Sequence, residues 1–273
     1  MGQKSNPNSF IIKKKTVTFG ASSYAGEYSK LFKEHVSVTS NIIFLFEKNR
    51  CFVKNCFFIQ NNEKAFTTLF ISFLVWKKRK TTKTVVLKET KKVFDRQFTN
   101  NLFLVLSKFG HISSKRLILQ NLNKVVSNYQ KNDFLHEHSE ITKKLQLYKT
   151  EPYFHSGLML FCLMNTTKDT SLLFSKFIAK FFKVFHRTRK INKFLRFLTE
   201  FIENTGSEKL KNTRIKGLKV SIKGRFSGAP RSKVRVFEKG QIPLQTFKHE
   251  ISYALTHSHT SYGVFGIKVW IFE

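Results

Sequence analysis

Residues of the types that perform catalysis are few in this sequence, and their spacing does not bring them together. The three cysteines form no CxxC pair, and an odd number of cysteines does not indicate a disulfide framework. HxH pairs occur at residues 136–138 and 257–259, but zinc needs three or four converging ligands. The three aspartates are too few for the clustered carboxylates of a two-metal nuclease. We therefore predict that the protein is not an enzyme and has no catalytic, cofactor-binding or metal-binding residues.

Net positive charge is the strongest feature of the composition. Lysine and arginine number 49 against 17 aspartates and glutamates, which gives a formal net charge of +32. Such self-repulsion opposes compaction unless a polyanion neutralises it. Nucleic acid is the first candidate partner and an anionic membrane the second. With 273 residues, 41% of them hydrophobic, the chain can still bury a core as one large or two ordinary domains.

The second bias is an excess of phenylalanine, with 31 Phe against 7 Tyr and 2 Trp. Phenylalanine can fill a core or stack on nucleic-acid bases. Phe, Lys, Asn and Ile are also encoded by A/T-rich codons, so we attribute the excess to mutational bias and not to base-stacking side chains. This bias indicates an organelle or a reduced genome.

Residues 171–197 predict one amphipathic helix, because this stretch holds no glycine or proline and its apolar residues recur at helical spacing. Phe174, Phe181 and Phe185 share one face at 100° per residue. Five cations lie on the opposite face, each within about 40° of their common mean direction. They are Lys176, Lys180, Lys183, Arg187 and Lys190, and Arg189, Lys193 and Arg196 lie beside them.

This row of cations spans about 21 Å at 1.5 Å per residue, a length that could follow several phosphates of a nucleic-acid backbone. Two other interpretations remain open. The helix could belong to the core and present a solvated lysine-rich face, or it could lie on a membrane surface.

Residues 217–273 predict a small α+β module whose mixed sheet is covered by helices. One strand has Leu218, Val220 and Ile222 alternating with polar residues, and a closing strand has the same alternation over residues 267–272. A glycine- and arginine-rich turn joins the first strand to the next, and residues 245–255 predict a helix. The cations that we expect to contact phosphate are Lys219, Lys223, Arg225, Arg231, Lys233 and Lys268.

The N-terminal half predicts a basic arm and a compact segment. The arm, residues 1–26, carries Lys4, Lys13, Lys14 and Lys15. We predict a helix over residues 27–35, a hairpin of strands 42–46 and 51–59, a strand at 101–106 and an amphipathic helix over 114–126. Residues 65–76 are too short to span a membrane and predict a buried strand or short helix. The lysine-rich run 77–92 is either a mobile loop or a nucleic-acid contact.

Three collinear stretches closely resemble the C-terminal domain of the S-three family of small-subunit ribosomal proteins. They are GLKVSIKGRFSGAPRSK, GQIPLQTFKHEISYA and HTSYGVFGIKVWIFE, and the opening MGQKSNP resembles the first residues of the same family. The GAPRSK version resembles the mitochondrial branch. The resemblance therefore implies a location in the mitochondrial matrix, within the small ribosomal subunit, and an organelle-encoded protein.

The resemblance also implies a fold and a set of partners. It implies a KH-like domain of the second type over residues 27–170, with a basic insertion near 77–100, and then the family's α/β C-terminal domain over 171–273. The implied function is structural: binding of small-subunit rRNA in the head, beside the mRNA entrance and neighbouring head proteins. By position, the helix that lines the mRNA path corresponds to part of residues 183–196. No small-molecule substrate and no membrane insertion are implied.

One departure from the family concerns the KH-like domain. KH domains clamp the nucleic-acid backbone with a GxxG loop. Between residues 27 and 170 the only glycines are Gly110 and Gly157, so no GxxG is present. We therefore predict a KH-like scaffold without KH-type RNA binding. A basic membrane-associated protein and an organellar RNA-processing factor are the alternatives to the ribosomal interpretation.

Overall fold

The fold is taken from a computed structural model, which describes residues 25–48, 51–61, 66–75, 114–122, 145–185, 188–205, 215–246 and 249–273. These residues form two compact units, one within residues 15–123 and the other within residues 124–273. The predicted strand at 101–106, the lysine-rich run 77–92 and the arm up to residue 24 lie outside the described residues.

The N-terminal unit begins with helix α1, Ala25–Lys48. The predicted helix over 27–35 is therefore present but longer, and the predicted strand at 42–46 is wrong. Ile42 and Phe46 are fully buried while Phe44 between them is 66% exposed. Burial at a spacing of four residues is the pattern of a helix, whereas a strand would bury every second residue.

A β-hairpin follows α1. Strand β1, Cys51–Asn61, pairs antiparallel with strand β2, Phe66–Val75. The predicted strand over 51–59 is confirmed, but its partner is β2, so residues 65–76 supply a strand and not a short helix. Among the described helices, none is long and apolar enough to cross a membrane.

Strand β3, Ser114–Asn121, pairs parallel with β2, and the sheet order is β1-β2-β3. The predicted amphipathic helix over 114–126 is therefore wrong at residues 114–121. The apolar residues Leu117, Ile118 and Leu119 are consecutive. Consecutive apolar residues are typical of strands in parallel pairs, which are commonly covered on both faces, and they form only an approximate helical stripe.

The described residues of the C-terminal unit form three α-helices. They are α2 at Phe154–Thr166, α3 at Ser171–Val184 and α4 at Thr188–Thr205. The predicted single helix over 171–197 is wrong, because α3 ends before Phe185, whose φ of −106° and ψ of 52° are not helical. Phe194 of α4 lies 6.1 Å from Phe177, and Phe201 lies 5.4 Å from Phe174, between ring centroids. These contacts run in opposite chain directions, so α3 and α4 form an antiparallel pair.

Aromatic packing explains the break between α3 and α4. In a continuous helix, aromatic rings on α4 could not fold back onto those of α3. In the helix pair, rings from α3 and α4 and the ring of Tyr153 just before α2 form one cluster. Its fully buried members are Tyr153, Phe174, Phe177, Phe181, Phe182, Phe194, Phe197 and Phe201. Burying this apolar area outweighs the local preference of a sequence without helix breakers.

The sheet of the C-terminal unit has the order β5-β4-β7-β6. Its strands are β4 at Gly217–Gly224, β5 at Lys233–Gly240, β6 at Ile251–Thr260 and β7 at Gly263–Phe272. All three pairings are antiparallel, so the predicted mixed sheet is wrong. Helix α3 packs on β6 and β7, and α4 packs on β5, so the helices cover one face of the sheet.

Residues 251–255 of the predicted helix over 245–255 belong to strand β6, so that prediction is wrong. The β6 residues that face α3 are small and polar, and they bond to it directly. Ser252 Oγ lies 2.7 Å from Ser171 Oγ, and Ser258 Oγ donates to Ala179 O at 2.7 Å. These small residues alternate with Ile251, Tyr253 and Leu255, which is the period of a strand.

Candidate nucleic-acid interface

One face of the C-terminal sheet is directed away from the helices and carries cations. In β4, Leu218, Val220 and Ile222 are buried, and the alternate residues project to the opposite face. Directly paired residues in an antiparallel sheet project to the same face, so Lys268 of β7, which pairs with Ser221, joins this face. The residues of this face that the sequence predicts to bind phosphate are Lys219, Lys223 and Lys268.

These three lysines are not equivalent. Lys219 Nζ forms an ion pair with Glu238 Oε2 on the adjacent strand β5. That ion pair neutralises part of its charge, so Lys219 is the weakest of the three as a phosphate ligand. Lys223 and Lys268 are exposed.

The turn between β4 and β5 presents three arginine and lysine side chains from a fixed backbone. Phe226 is buried and holds a short 3-10 turn in place, while Ser227 and Gly228 take φ values of 59° and 74°. Arg225 Nε donates to Ala229 O at 2.7 Å, a bond that does not use the two terminal nitrogens of the guanidinium. Arg231 and Lys233 follow and are exposed. The turn is therefore a preorganised group of cations.

The predicted row of cations along one helix is divided between α3 and α4, so the 21 Å row does not exist. On α3, Lys176 and Lys180 are half-buried and Lys183 is exposed. On α4, Lys190, Lys193 and Arg196 are exposed, and Lys193 Nζ lies 3.8 Å from Glu151 Oε1. Predicted residues outside the described part are Lys4, Lys13, Lys14, Lys15, Arg187 and the side chain of Arg189.

Sequence reasoning missed Arg235, because the alternation in β5 is inverted. The pairs Ile222↔Arg235 and Val220↔Phe237 place Arg235 and Phe237 on the helix-covered side of the sheet. Val234 and Val236 consequently project from the other face and are 54% and 52% exposed. The Arg235 guanidinium lies over the Phe226 ring, 4.9 Å from its centroid. Strands β4 and β5 have equal lengths and pair end to end. Had this pairing been assumed from the sequence, it would have placed Arg235 opposite the buried Ile222.

Arg235 lines a groove between α4 and β5, which we call the α4–β5 groove. Its volume is about 310 Å³, and it is open to solvent. Helix α4 contributes four residues to it and β5 contributes two. The lining residues are Asn192, Leu195, Arg196, Thr199, Arg235 and Phe237.

Two tyrosines close to α4, Tyr148 and Tyr153, have raised pKa values. Burial, and then the hydrogen bond that Tyr148 Oη donates to Glu200 Oε1 at 2.8 Å, raise the pKa of Tyr148 to about 12. Burial also raises the pKa of Tyr153, with the carboxylate of Glu151 adding to the effect. Both hydroxyls therefore keep their protons in the folded state at pH values where an unfolded tyrosine ionises.

We expect the free energy of unfolding to fall as the pH rises from about 10 to 12, because the folded state holds the Tyr148 proton and the unfolded state loses it near pH 10. Below pH 10 this contribution is fully present. Urea unfolding followed by circular dichroism at a series of pH values should show a shallower decline for Tyr148→Phe than for the wild type. Equal declines in the two proteins would contradict the assignment.

The described residues contain no group of three or more His, Cys, Asp or Glu side chains that could hold a metal ion. The side chains of Cys51 and Cys162 are buried. The C-terminal unit presents exposed cations, including Lys223, Arg231 and Lys268, from its sheet and the β4–β5 turn. A helix-covered antiparallel sheet with a cationic open face belongs to the class of small basic α+β domains.

Comparison with known proteins finds relatives of the C-terminal part of the chain. Residues 195–271 match the family model described as "Ribosomal protein S3, C-terminal domain". The small ribosomal subunit protein uS3 of Blochmanniella floridana is 48% identical over 58 residues, 21% of this chain and 25% of that protein. The uS3 of Neorickettsia sennetsu is 44% identical over 64 residues, 23% of this chain and 30% of that protein. The uS3c of Emiliania huxleyi is 42% identical over 67 residues, 24% and 31% respectively.

Residues 195–271 therefore match the C-terminal domain of the ribosomal protein S3 family, and the resemblance seen in the sequence is confirmed for this part of the chain. The aligned regions span only about a quarter to a third of the relatives' length, 25% for the first of them and 32% for that of Phytoplasma mali.

Proposed function

We propose that this protein is a structural component of a small ribosomal subunit and binds rRNA without performing catalysis. The observation that carries the proposal is the match of residues 195–271 to the S3 C-terminal domain. The net charge of +32 supports it, because a protein embedded in rRNA has phosphates to neutralise that charge.

The geometry of the C-terminal unit supports phosphate contacts at two places. The β4–β5 turn holds Arg225, Arg231 and Lys233 on a backbone fixed by Phe226, so binding orders few additional groups. The open sheet face adds Lys223 and Lys268. Folded rRNA is recognised largely by shape and backbone contacts, for which rigidly held cations are suited.

Finer assignments form part of the same proposal. We propose a position in the head of the subunit beside the mRNA entrance, with cations at the start of α4 facing mRNA and with neighbouring head proteins as further partners. The codon bias and the GAPRSK turn support a mitochondrial location. The order of a helix, a hairpin and a later strand paired with it supports a KH-like scaffold in the N-terminal unit. The domains proposed from the sequence remain 27–170 and 171–273, while the compact C-terminal unit of the fold begins earlier and includes α2.

Sedimentation tests the class of protein, and salt dependence tests the contacts. The tagged full chain should sediment with the small subunit in a sucrose gradient and be recovered with its rRNA. Binding of the purified chain to small-subunit rRNA should weaken steeply with salt. The triple variant Lys223→Gln/Arg231→Gln/Lys233→Gln should lower the slope of log K against log salt by about 0.7–0.9 for each phosphate that is no longer neutralised.

The exposed Lys149, which is outside the proposed interface, provides the control, and Lys149→Gln should retain the wild-type slope. A triple variant with the wild-type slope would exclude these three cations from the RNA interface. Recovery with lipid after RNase treatment would favour a membrane-associated protein. Metal-dependent RNA cleavage would favour a processing factor.

A further inference from the structure

We propose that the α4–β5 groove holds one nucleotide of an RNA strand, with its phosphate between Arg196 and Arg235 and its base or ribose against Leu195 and Phe237. This inference rests on the proposed function, since it names the part of an RNA that this groove would take. It adds a site that includes Arg235, a residue to which the sequence pattern assigned no role.

The first argument comes from the inverted alternation of β5. Burying valine and exposing arginine is the usual arrangement in a strand that lies under a helix. In β5 the register instead places Arg235 on the side of α4 and leaves Val234 and Val236 on the open face, while Arg235 itself remains exposed. The register therefore directs an exposed cation into the groove, where a ligand can reach it.

The second argument is electrostatic. Arg196 from α4 and Arg235 from β5 both line the groove, so two residues of like charge border one cavity. Glu200, one turn after Arg196, accepts the hydrogen bond of Tyr148. An anion between the two arginines would relieve their repulsion, and a guanidinium offers the planar pair of donors that fits a phosphate. The position of Arg235 over the Phe226 ring limits the motion of its guanidinium before any ligand binds.

The third argument is the size and lining of the groove. A volume of about 310 Å³ is at the lower end of the range for small-ligand sites, which suits one nucleotide and not a helix. Leu195 and Phe237 supply an apolar wall, and Phe237 offers an aromatic face to a base or ribose. Asn192 and Thr199 supply hydrogen-bonding groups that a base edge or a ribose hydroxyl can use. Because the groove is open to solvent, a strand can pass through it.

The test uses the full chain and a fluorescein-labelled 12-nucleotide oligouridine that contains 4-thiouridine. We would measure affinity at several salt concentrations for the wild type, Arg196→Gln, Arg235→Gln and the double variant. The matched control is Lys239→Gln, which removes one positive charge from the same strand outside the groove. Each arginine variant should weaken binding at least fivefold and lower the salt slope by about 0.7, the value for one neutralised phosphate of a single strand. Lys239→Gln should weaken binding less than twofold.

If both arginines hold one phosphate, their effects will not add, and the double variant will bind much as the single variants do. Photo-crosslinking should attach 4-thiouridine to the peptide that contains Phe237, and Arg235→Gln should reduce the yield. Additive effects, or equal weakening by Arg235→Gln and Lys239→Gln, would overturn the shared site. Such a result in a chain that still binds rRNA would leave the proposed function intact. A wild-type chain without salt-dependent RNA binding would contradict the proposed function itself.

Two further ligands identify the source of the nucleotide. Calorimetric titration with adenosine monophosphate should show binding at least tenfold weaker than that of the oligouridine, since a strand also binds on either side of the groove. Equal affinities would replace the RNA strand with a free mononucleotide. An oligoaspartate of the same charge should compete poorly with the oligouridine, and equal competition would indicate an acidic peptide and overturn the proposal.

Discussion

Replacement of Phe194 by alanine is expected to destabilise the C-terminal unit by about 3–5 kcal/mol, the range for a large aromatic side chain removed from a core. Phe194 is 1% exposed and lies where α3, α4 and the residue before α2 meet. Its ring centroid is within 6.3 Å of six other aromatic centroids. They belong to Tyr153, Phe177, Phe181, Phe182, Phe185 and Phe197. No single neighbour can move to fill the resulting cavity without abandoning its own packing.

Thiol labelling measures this effect in the full chain. Cys162 is buried in the C-terminal unit and Cys51 in the N-terminal unit, so labelling at each cysteine reports on a different unit. In a urea series analysed by mass spectrometry, Phe194→Ala should lower the urea midpoint for Cys162 and leave that for Cys51 nearly unchanged.

Two variants serve as controls for this prediction. Phe194→Leu keeps most of the apolar volume and should cost less than the alanine variant. Val236→Ala, at a position that is 52% exposed, should change the free energy of unfolding by no more than about 0.5 kcal/mol. A destabilisation below about 1 kcal/mol for Phe194→Ala would contradict the packed aromatic cluster and the division into two helices that it explains.

Strands β4 and β7 were predictable because their apolar residues, which lie on the buried face, alternate with residues of the other face. Leu218, Val220 and Ile222 are buried, and the residues between them are polar or cationic. Such a pattern needs no knowledge of the neighbouring strand. The turn between β4 and β5 was predictable for the same reason, since its glycines and proline act locally.

Strand β5 was predictable as a strand but not in its orientation. Its valines alternate with polar and aromatic residues, and on apolar patterning alone the valines would face the core. The pairing of β5 with β4 is what directs Arg235 and Phe237 toward α4. The direction of the β5 side chains is therefore set by the register of its pairing with β4, which cannot be read from the sequence of β5 alone.

The helix break at Phe185 was not predictable from local signals. No glycine or proline occurs in residues 171–197, and helical periodicity continues through the break. The cause is tertiary, since the rings of α4 reach those of α3 only if the chain turns back at Phe185. The candidate site changes as a result: the cations of α3 and α4 do not form one row, and Arg196 lines the same groove as Arg235.

Replacement of Gly240 by alanine is expected to lower the free energy of unfolding by about 2–5 kcal/mol. Two causes combine at this residue, which ends β5. Gly240 has a φ of 78°, where an L-residue is strained by about 1–2 kcal/mol. A Cβ there would also lie 2.2 Å from the backbone oxygen of Lys216, and relieving that overlap would add about 1–3 kcal/mol. Because the opposing atom is backbone, the overlap cannot be relieved by a side-chain rotation.

The same sheet offers two glycines that separate these causes. Gly263 has a φ of 121° but open space around its Cβ position, so Gly263→Ala should show the cost of backbone strain alone. Gly266 also has open space and lies within β7, so Gly266→Ala should be neutral or stabilising by up to about 1 kcal/mol. The urea midpoint for Cys162 labelling should therefore be highest for Gly266→Ala, lower for Gly263→Ala and lowest for Gly240→Ala. If Gly240→Ala cost no more than Gly263→Ala, the close approach of β5 to Lys216 would be absent, and with it the end-to-end register that places Arg235 in the groove.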